Sequence, residues 1–242
     1  MRHSPESDAP IGDGPPEGAG SLVTDGAEEG ATAERKREVR RDLQAVRAAM
    51  TAEEALEAAE SLAERVLSLP EVAAARTVAA YVAVGREPGT RLLLEELRRR
   101  GVRVLLPVLL PDDDLDWALY EGRESLRETE HGNGRIRLFE PAGGSLGPDA
   151  VHEADVVLLP GLAVDSRGVR LGRGGGSYDR ALARLIAGDG GNGSDRGPLL
   201  AVLLYGHEVM DELPCEAHDR PVHLAVTPEG VHRITGARPA TG

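Results

Sequence analysis

The stretch that most constrains this chain runs from Val156 to Arg180 and reads VVLLPGLAVDSRGVRLGRGGGSYDR. It opens with a continuous apolar run, the signature of a strand buried on both faces of a parallel sheet. Pro160-Gly161 ends that run, five glycines lie between Gly168 and Gly176, and Tyr178-Asp179-Arg180 then enters an amphipathic helix. A buried strand, a glycine-rich turn and a helix N-terminus in that order form a site for an anionic group. Bare backbone N–H groups can approach such a ligand closely, and the helix dipole favours negative charge there.

The flanking sequence supplies a fold for that unit. Apolar runs at Thr77–Val82, Val104–Leu110, Leu115–Tyr120, Asp155–Leu159, Leu199–Leu204 and Leu224–Thr227 read as strands. Helical patterns fall at Thr90–Arg100, closed by Gly101, and from Ser177 to Ala187. Pro107 marks its strand as an edge or an irregular end. Glu121 to Pro148 reads as loop. Upstream, Val39, Leu43, Val46 and Met50 recur at helical spacing, and Thr51 with Glu54 makes a capping box for a second helix ending near Pro70. The alternation predicts a single α/β domain, a mostly parallel sheet layered between helices, over residues 32–242. Residues 1–31 are rich in Gly, Pro, Ser and acidic side chains and are expected to stay disordered. The polar loop Gly188–Gly197 is expected to be mobile. Ligands of such sheets sit beyond the carboxyl ends of the strands, so Tyr81–Glu87, Gly161–Asp179 and Tyr205–Asp219 are expected to converge.

Composition narrows the function. The net charge of −13 argues against nonspecific binding to nucleic acid or an anionic membrane. A single cysteine, Cys215, excludes an internal disulfide and an all-cysteine metal site. No run approaches the roughly 20 apolar residues of a membrane span, and no secretion signal is visible. A cytoplasmic protein, monomeric and acting on small molecules, is the expectation.

The glycine cluster alone is generic. It is no Walker A loop, since no Lys-Ser or Lys-Thr follows it, and no dinucleotide fingerprint, since the acidic strand-end residue is missing. Arg170 and Arg173 within it offer forked donors to phosphate oxygens. Asp179 is either a carboxylate sharing a Mg²⁺ with a phosphate or an ordinary helix N-terminal acid. Asp219 is a second metal ligand or a turn residue, Glu87 a site acid or a solvated loop carboxylate, and Asp165 a pocket acid or a turn residue. Lys36, the only lysine, and Arg40 share a helix face that reads most simply as solvated. His218 and His223 show no metal spacing. No nucleophile sits at an elbow, so a hydrolase is disfavoured.

Taken together, these residues resemble the 5-formyltetrahydrofolate cyclo-ligases, also called 5,10-methenyltetrahydrofolate synthetases. The signature stretch is similar to that family's Pro-Gly-x-x-Phe-Asp turn followed by Arg-Leu-Gly-x-Gly-x-Gly-Tyr-Tyr-Asp. Lys36-x-x-x-Arg40, Tyr81 with Glu87, Glu140-Pro141, and His218-Asp219 followed by Ala225–Pro228 extend the likeness over about Glu34 to Val231. The resemblance implies ATP contacts from Lys36, Arg40, Arg170, Leu171, Gly172, Arg173, Gly174, Gly175, Gly176, Ser177 and Tyr178. It implies folate contacts from Val82 and Glu87, and Mg²⁺ at Asp179 and Asp219. Arg173 and Lys36 are the residues expected to act on the transferring phosphoryl group. The implied reaction is ATP-dependent ring closure of 5-formyltetrahydrofolate through phosphorylation of the formyl oxygen. Ser177 replaces the first tyrosine of the family pattern, Val164 its phenylalanine, and His223 a frequent Asp, while Pro88 follows Glu87 where an aliphatic residue is usual. A less aromatic pterin pocket is expected. Two other readings remain: an ATP-dependent enzyme with a different substrate on the same scaffold, and a non-catalytic nucleotide-binding protein.

Overall fold

The computed structural model describes residues 22–132, 134, 136–187, 197–216 and 219–234. The sequence expectations for residues 1–21, for most of the Gly188–Gly197 loop and for His218 fall outside them. Helix α1 spans Leu22–Ala49, so it starts upstream of the expected Thr32. Helices α2 (Ala52–Ser68) and α3 (Pro70–Ala73) follow, then β1 (Thr77–Ala79), α4 (Arg91–Arg99), β2 (Arg103–Leu109) and β3 (Leu115–Leu119). The chain continues through β4 (Leu126–His131), β5 (Ile136–Pro141), β6 (Val156–Pro160), β7 (Ala163–Asp165) and β8 (Arg170–Leu171). Helix α5 (Ser177–Ala187), β9 (Leu199–Leu203), β10 (Val209–Met210), β11 (Leu224–Val226) and β12 (Val231–Arg233) complete it.

The main sheet has seven strands in the order β12-β11-β9-β6-β1-β2-β3. Its five inner strands are parallel, while β12 and β3 run antiparallel at the two edges. The apolar run that opens the signature is its centre, with β1 on one side and β9 on the other. One face packs Val78, Leu106, Leu158 and Leu203 against α2, α3 and α4; the other packs Leu105, Val157, Leu159 and Val202 against α5 and the turn at Pro148–Glu153. Helices on both faces are what continuous apolar strands require, because neither face can be left to water. Thr51 caps α2 as expected, its hydroxyl accepting from the Glu54 N–H and its own N–H donating back to the Glu54 carboxylate.

Three departures matter for the site. Pro107 is not on a sheet edge, since β2 pairs with β1 and β3. The β1 pairing stops at Leu105, however, and Leu109 turns its N–H away from β3 toward Glu140. Pro107 therefore sits just past the end of the β1 pairing, where its missing N–H faces no partner strand, which is the irregular end that the sequence allowed and not a sheet edge. The expected loop between Glu121 and Pro148 contains the β4–β5 hairpin. Finally, β7, β8 and β10 form a separate small sheet under α1. Leu43 of α1 packs there with Leu162, Ala163, Val169, Leu171 and Leu213.

Candidate active site

At the carboxyl end of the main sheet lies a cavity of about 630 Å³. One wall is the glycine-rich loop, with Arg170, Gly172, Arg173, Gly174, Gly175, Gly176, Ser177, Tyr178 and Asp179. Gly174 and Gly176 have φ of +102° and +72°, which only glycine adopts without strain, and that geometry keeps the loop low over the start of α5. The Gly176 carbonyl accepts from Arg180 and opens the helix. The first turn of α5, from Ser177 to Asp179, therefore lies in the cavity wall, where a helix N-terminus offers N–H groups without intrahelical partners.

The loop is braced by charge. Arg170 is buried, donating to the Pro160 carbonyl at 3.1 Å and to Asp179 at 2.6 Å. Arg40 reaches across from α1 to the Gly172 carbonyl at 2.8 Å. Lys36, one turn earlier, is only 5 % exposed, which excludes the solvated-face reading. Its ammonium lies 2.7 Å from both Glu216 and Asp219. Burial pulls that ammonium's pKa down, but the hydrogen bonds and charges of Asp219 and Glu216 outweigh it and leave it raised. Arg47 completes the same helix face, with a bidentate pair to buried Glu208 at 2.6 and 2.8 Å and a third bond to the Gly161 carbonyl.

The opposite wall comes from the end of β1 and from the hairpin. Tyr81, Val82, Val84, Gly85 and Glu87 follow β1, and Leu138, Phe139 and Glu140 come from β5. Glu140 fastens the hairpin to the sheet: its carboxylate accepts from the Leu109 N–H at 2.8 Å and the Thr129 hydroxyl at 2.6 Å, with His131 at 3.2 Å. Phe139 is thereby held in the wall, with the Arg91 guanidinium 4.5 Å over its ring. Glu87 is nearly buried, accepting from the Val84 N–H at 2.9 Å, and meets Arg173 at 3.2 Å. Burial pushes its carboxyl up, against the opposing influence of Val84, Arg173 and Arg47. This ion pair is where the glycine-loop wall touches the apolar wall.

The structure thus brings together Val82, Glu87, Asp179 and the loop from Arg170 to Tyr178, apart from Leu171, which is buried in β8 beneath it. Lys36 and Arg40 stand behind the loop rather than in the cavity wall. Asp219 is likewise outside it, its carboxylate taken up by Lys36 and by the Glu216 N–H. Asp165 is fully buried and accepts from the N–H groups of Arg167, Val169 and Leu213, so it is a turn residue. Val164 packs in the core with α5, away from the cavity. Its difference from the family pattern leaves the pocket wall untouched, whereas Ser177 does lie in that wall. Sequence reasoning placed no site residue on the hairpin, although Gly132-Asn133-Gly134 was a turn signal for it.

Of the carboxylates lining the cavity, Asp179 is the one on the glycine-rich wall, whereas Glu87 and Glu140 belong to the opposite wall and are engaged there by protein donors. Among the described residues no group of three or more His, Cys, Asp or Glu side chains could hold a metal. That donor set does not suit an all-protein cage, but it suits Mg²⁺ bound by one carboxylate together with phosphate oxygens and water.

Comparison with known proteins identifies the family. Residues 32–228 match the model of the 5-formyltetrahydrofolate cyclo-ligase family. The chain is 41 % identical to the 5-formyltetrahydrofolate cyclo-ligase of Mycolicibacterium smegmatis over 64 % of this chain and 74 % of that one. It is 32 % identical to the Escherichia coli cyclo-ligase over 76 % of this chain and 96 % of that one. Among solved structures, Aquifex aeolicus 5,10-methenyltetrahydrofolate synthetase superposes with a TM-score of 0.67 at 27 % identity, covering 86 % of this chain and 96 % of the other.

Proposed function

Because this chain belongs to the 5-formyltetrahydrofolate cyclo-ligase family, and so converts 5-formyltetrahydrofolate to 5,10-methenyltetrahydrofolate, we propose how its cavity divides that reaction between two walls. The glycine-rich wall takes the triphosphate of ATP on the first amides of α5, with Arg170 and Arg173 beside it. The wall of Tyr81, Val82, Phe139 and Glu87 takes the folate. The single observation that carries this reading is the Arg173–Glu87 contact at 3.2 Å, because it puts the cation of the phosphate wall at the edge of the heterocycle wall.

A formamide carbonyl is a weak electrophile, and its oxygen is a poor leaving group. Transfer of the γ-phosphoryl to the formyl oxygen makes that oxygen part of a phosphate leaving group and releases ADP. The neighbouring folate nitrogen then attacks the formyl carbon and gives up its proton to water or the departing phosphate, the ring closes, and the C–O bond breaks to release inorganic phosphate. No protein nucleophile is required; the chain contributes position and charge. Arg173 is 56 % exposed in its side chain and free to turn from Glu87 to the transferring group. Arg40 and Lys36 close the cage from α1. Asp179 is the side chain that would hold Mg²⁺, which supplies charge neutralisation to the phosphate oxygens. For Asp219 to join it, Lys36 would first have to transfer its ammonium to phosphate.

The test is to incubate purified protein with ATP, Mg²⁺ and 5-formyltetrahydrofolate and follow the ultraviolet absorbance of the methenyl product. Arg173→Ala should reduce kcat by two or more orders of magnitude, the scale of losing one preorganised transition-state donor (~10²–10³). Its circular dichroism should match the parent, since the Arg173 side chain is exposed, with Tm only modestly lowered because Glu87 loses one of the charges that offset its burial. Near-normal turnover in that variant would remove Arg173 from the chemistry.

A further inference from the structure

Four buried side-chain polar atoms find no hydrogen-bond partner among the described residues: the hydroxyl of Tyr81, the indole nitrogen of Trp117, and the Nε atoms of Arg170 and Arg220. Trp117 lies in the core beneath α5, and Arg170 is satisfied through its other nitrogens. Tyr81 differs from both. It is 3 % exposed, forms part of the cavity wall, and leaves its only side-chain polar group unpaired. Its backbone is not free to search for a partner, because the Thr90 hydroxyl donates to the Tyr81 carbonyl at 2.7 Å and itself accepts from Ala83 at 2.9 Å.

A buried unpaired hydroxyl costs the folded protein stability, and a phenylalanine of the same shape would avoid that cost. Retaining it is reasonable where something absent from the free protein completes the bond. The surroundings define what that is. Burial, reinforced by Glu87, pushes the Tyr81 hydroxyl well above the usual phenol range, so it stays a neutral O–H donor. Glu87, a carboxylate acceptor, lies close enough to act on it electrostatically, and Val82, Val84, Leu138 and Phe139 give this wall its apolar surface. A donor beside an acceptor on an apolar surface is complementary to a flat heterocycle that presents an acceptor next to an N–H.

We propose that the Tyr81 hydroxyl donates a hydrogen bond to a carbonyl oxygen or ring nitrogen of the folate's fused heterocycle, making it a substrate-contacting and specificity-determining residue. The proposal rests on the cyclo-ligase reading of the cavity. Tyr81 acts in binding, ahead of the phosphoryl transfer, and does not contact ATP.

The variant Tyr81→Phe tests it in the intact protein. Its ligand-free Tm should equal or exceed the parent's, because the unpaired hydroxyl is gone. KM for 5-formyltetrahydrofolate should rise about ten-fold, the usual scale for one buried neutral hydrogen bond with a stranded acceptor, with kcat and KM for ATP close to the parent's. An unchanged KM for the folate would overturn the proposal. A lowered Tm with both KM values raised would overturn it too, since the hydroxyl would then belong to the protein's own framework. Failure of the parent protein to turn over 5-formyltetrahydrofolate would instead sink the cyclo-ligase reading, so the two failures are distinguishable.

Discussion

Glu87 sets a cost inside the cavity that is visible in its proton affinity. Burial is the largest influence on its carboxyl and raises its pKa above the ordinary 4.5; the Val84 N–H and the Arg173 and Arg47 charges reduce the rise without cancelling it. The folded protein therefore holds this proton to higher pH than the unfolded chain does. Stability from this group is fully present below about pH 4.5 and is lost as pH rises through the elevated value, so near pH 7 the ionised carboxylate is a net liability. Glu87→Gln keeps an acceptor for Val84 and removes the charge. Thermal melts of ligand-free protein should show the variant above the parent at pH 7, with the difference closing as pH falls below 4.5. A constant offset across that range would mean the charge is not the cause. The same variant should bind folate more weakly, because a carboxylate accepts an N–H more strongly than an amide does.

The first helix is held by a stripe that hydrophobic periodicity does not see. Lys36, Arg40, Leu43 and Arg47 lie along one face, and three of the four are cations whose partners are Glu216, Asp219, Gly172, Glu208 and Gly161. The apolar pattern Val39, Leu43, Val46, Met50 pointed to a neighbouring face, and Val46 is in fact 47 % exposed. The Arg47–Glu208 pair is the strongest of these attachments, with both side chains nearly inaccessible and the guanidinium stacked 5.4 Å from the Tyr205 ring. Removing one partner strands the other charge in the interior, so Arg47→Ala should cost about 3–5 kcal/mol in denaturant melts. Replacing both partners, Arg47→Met with Glu208→Leu, should cost much less, and equal losses would locate the effect in packing instead. The same contrast explains the hairpin. Its first strand, Leu126-Arg-Glu-Thr-Glu-His131, carries almost no apolar signal beyond Leu126, because a polar residue, Glu140, fastens the hairpin to β2 alongside the packing of Leu126 and Phe139. By contrast β1, β6, β9 and β11 were legible because strands buried on both faces must be apolar throughout.

Across the whole molecule, the part of the site carried by contiguous sequence was legible and the part assembled from a distance was not. The glycine loop announced itself by backbone requirements that no other residue meets at Gly174 and Gly176. The far wall needed Phe139, delivered by a hairpin, and the roles of Lys36 and Asp219 depended on a pairing between opposite ends of the chain. That long-range pairing also predicts how the molecule responds to nucleotide. The main sheet is sealed by two large apolar clusters, while α1 is attached by ion pairs and one small cluster around Leu43. Helix α1 should therefore open on its own at lower free energy than the sheet. On the proposed placement, a triphosphate on the loop would add a shared anionic partner for Arg40 and Lys36, and binding to the closed form alone would stabilise it by RT ln(1 + [L]/Kd), about 2.7 kcal/mol at a hundred-fold excess over Kd. In native-state hydrogen exchange, amides between Lys36 and Arg47 should exchange faster than those of β6 and β9, and Mg-ATP should slow the α1 amides by roughly a hundred-fold under those conditions. In Lys36→Met that ATP-dependent slowing should shrink sharply, while the amides of β6 exchange as in the parent. Equal protection of α1 and β6 without nucleotide would show that the helix and the sheet open as one unit.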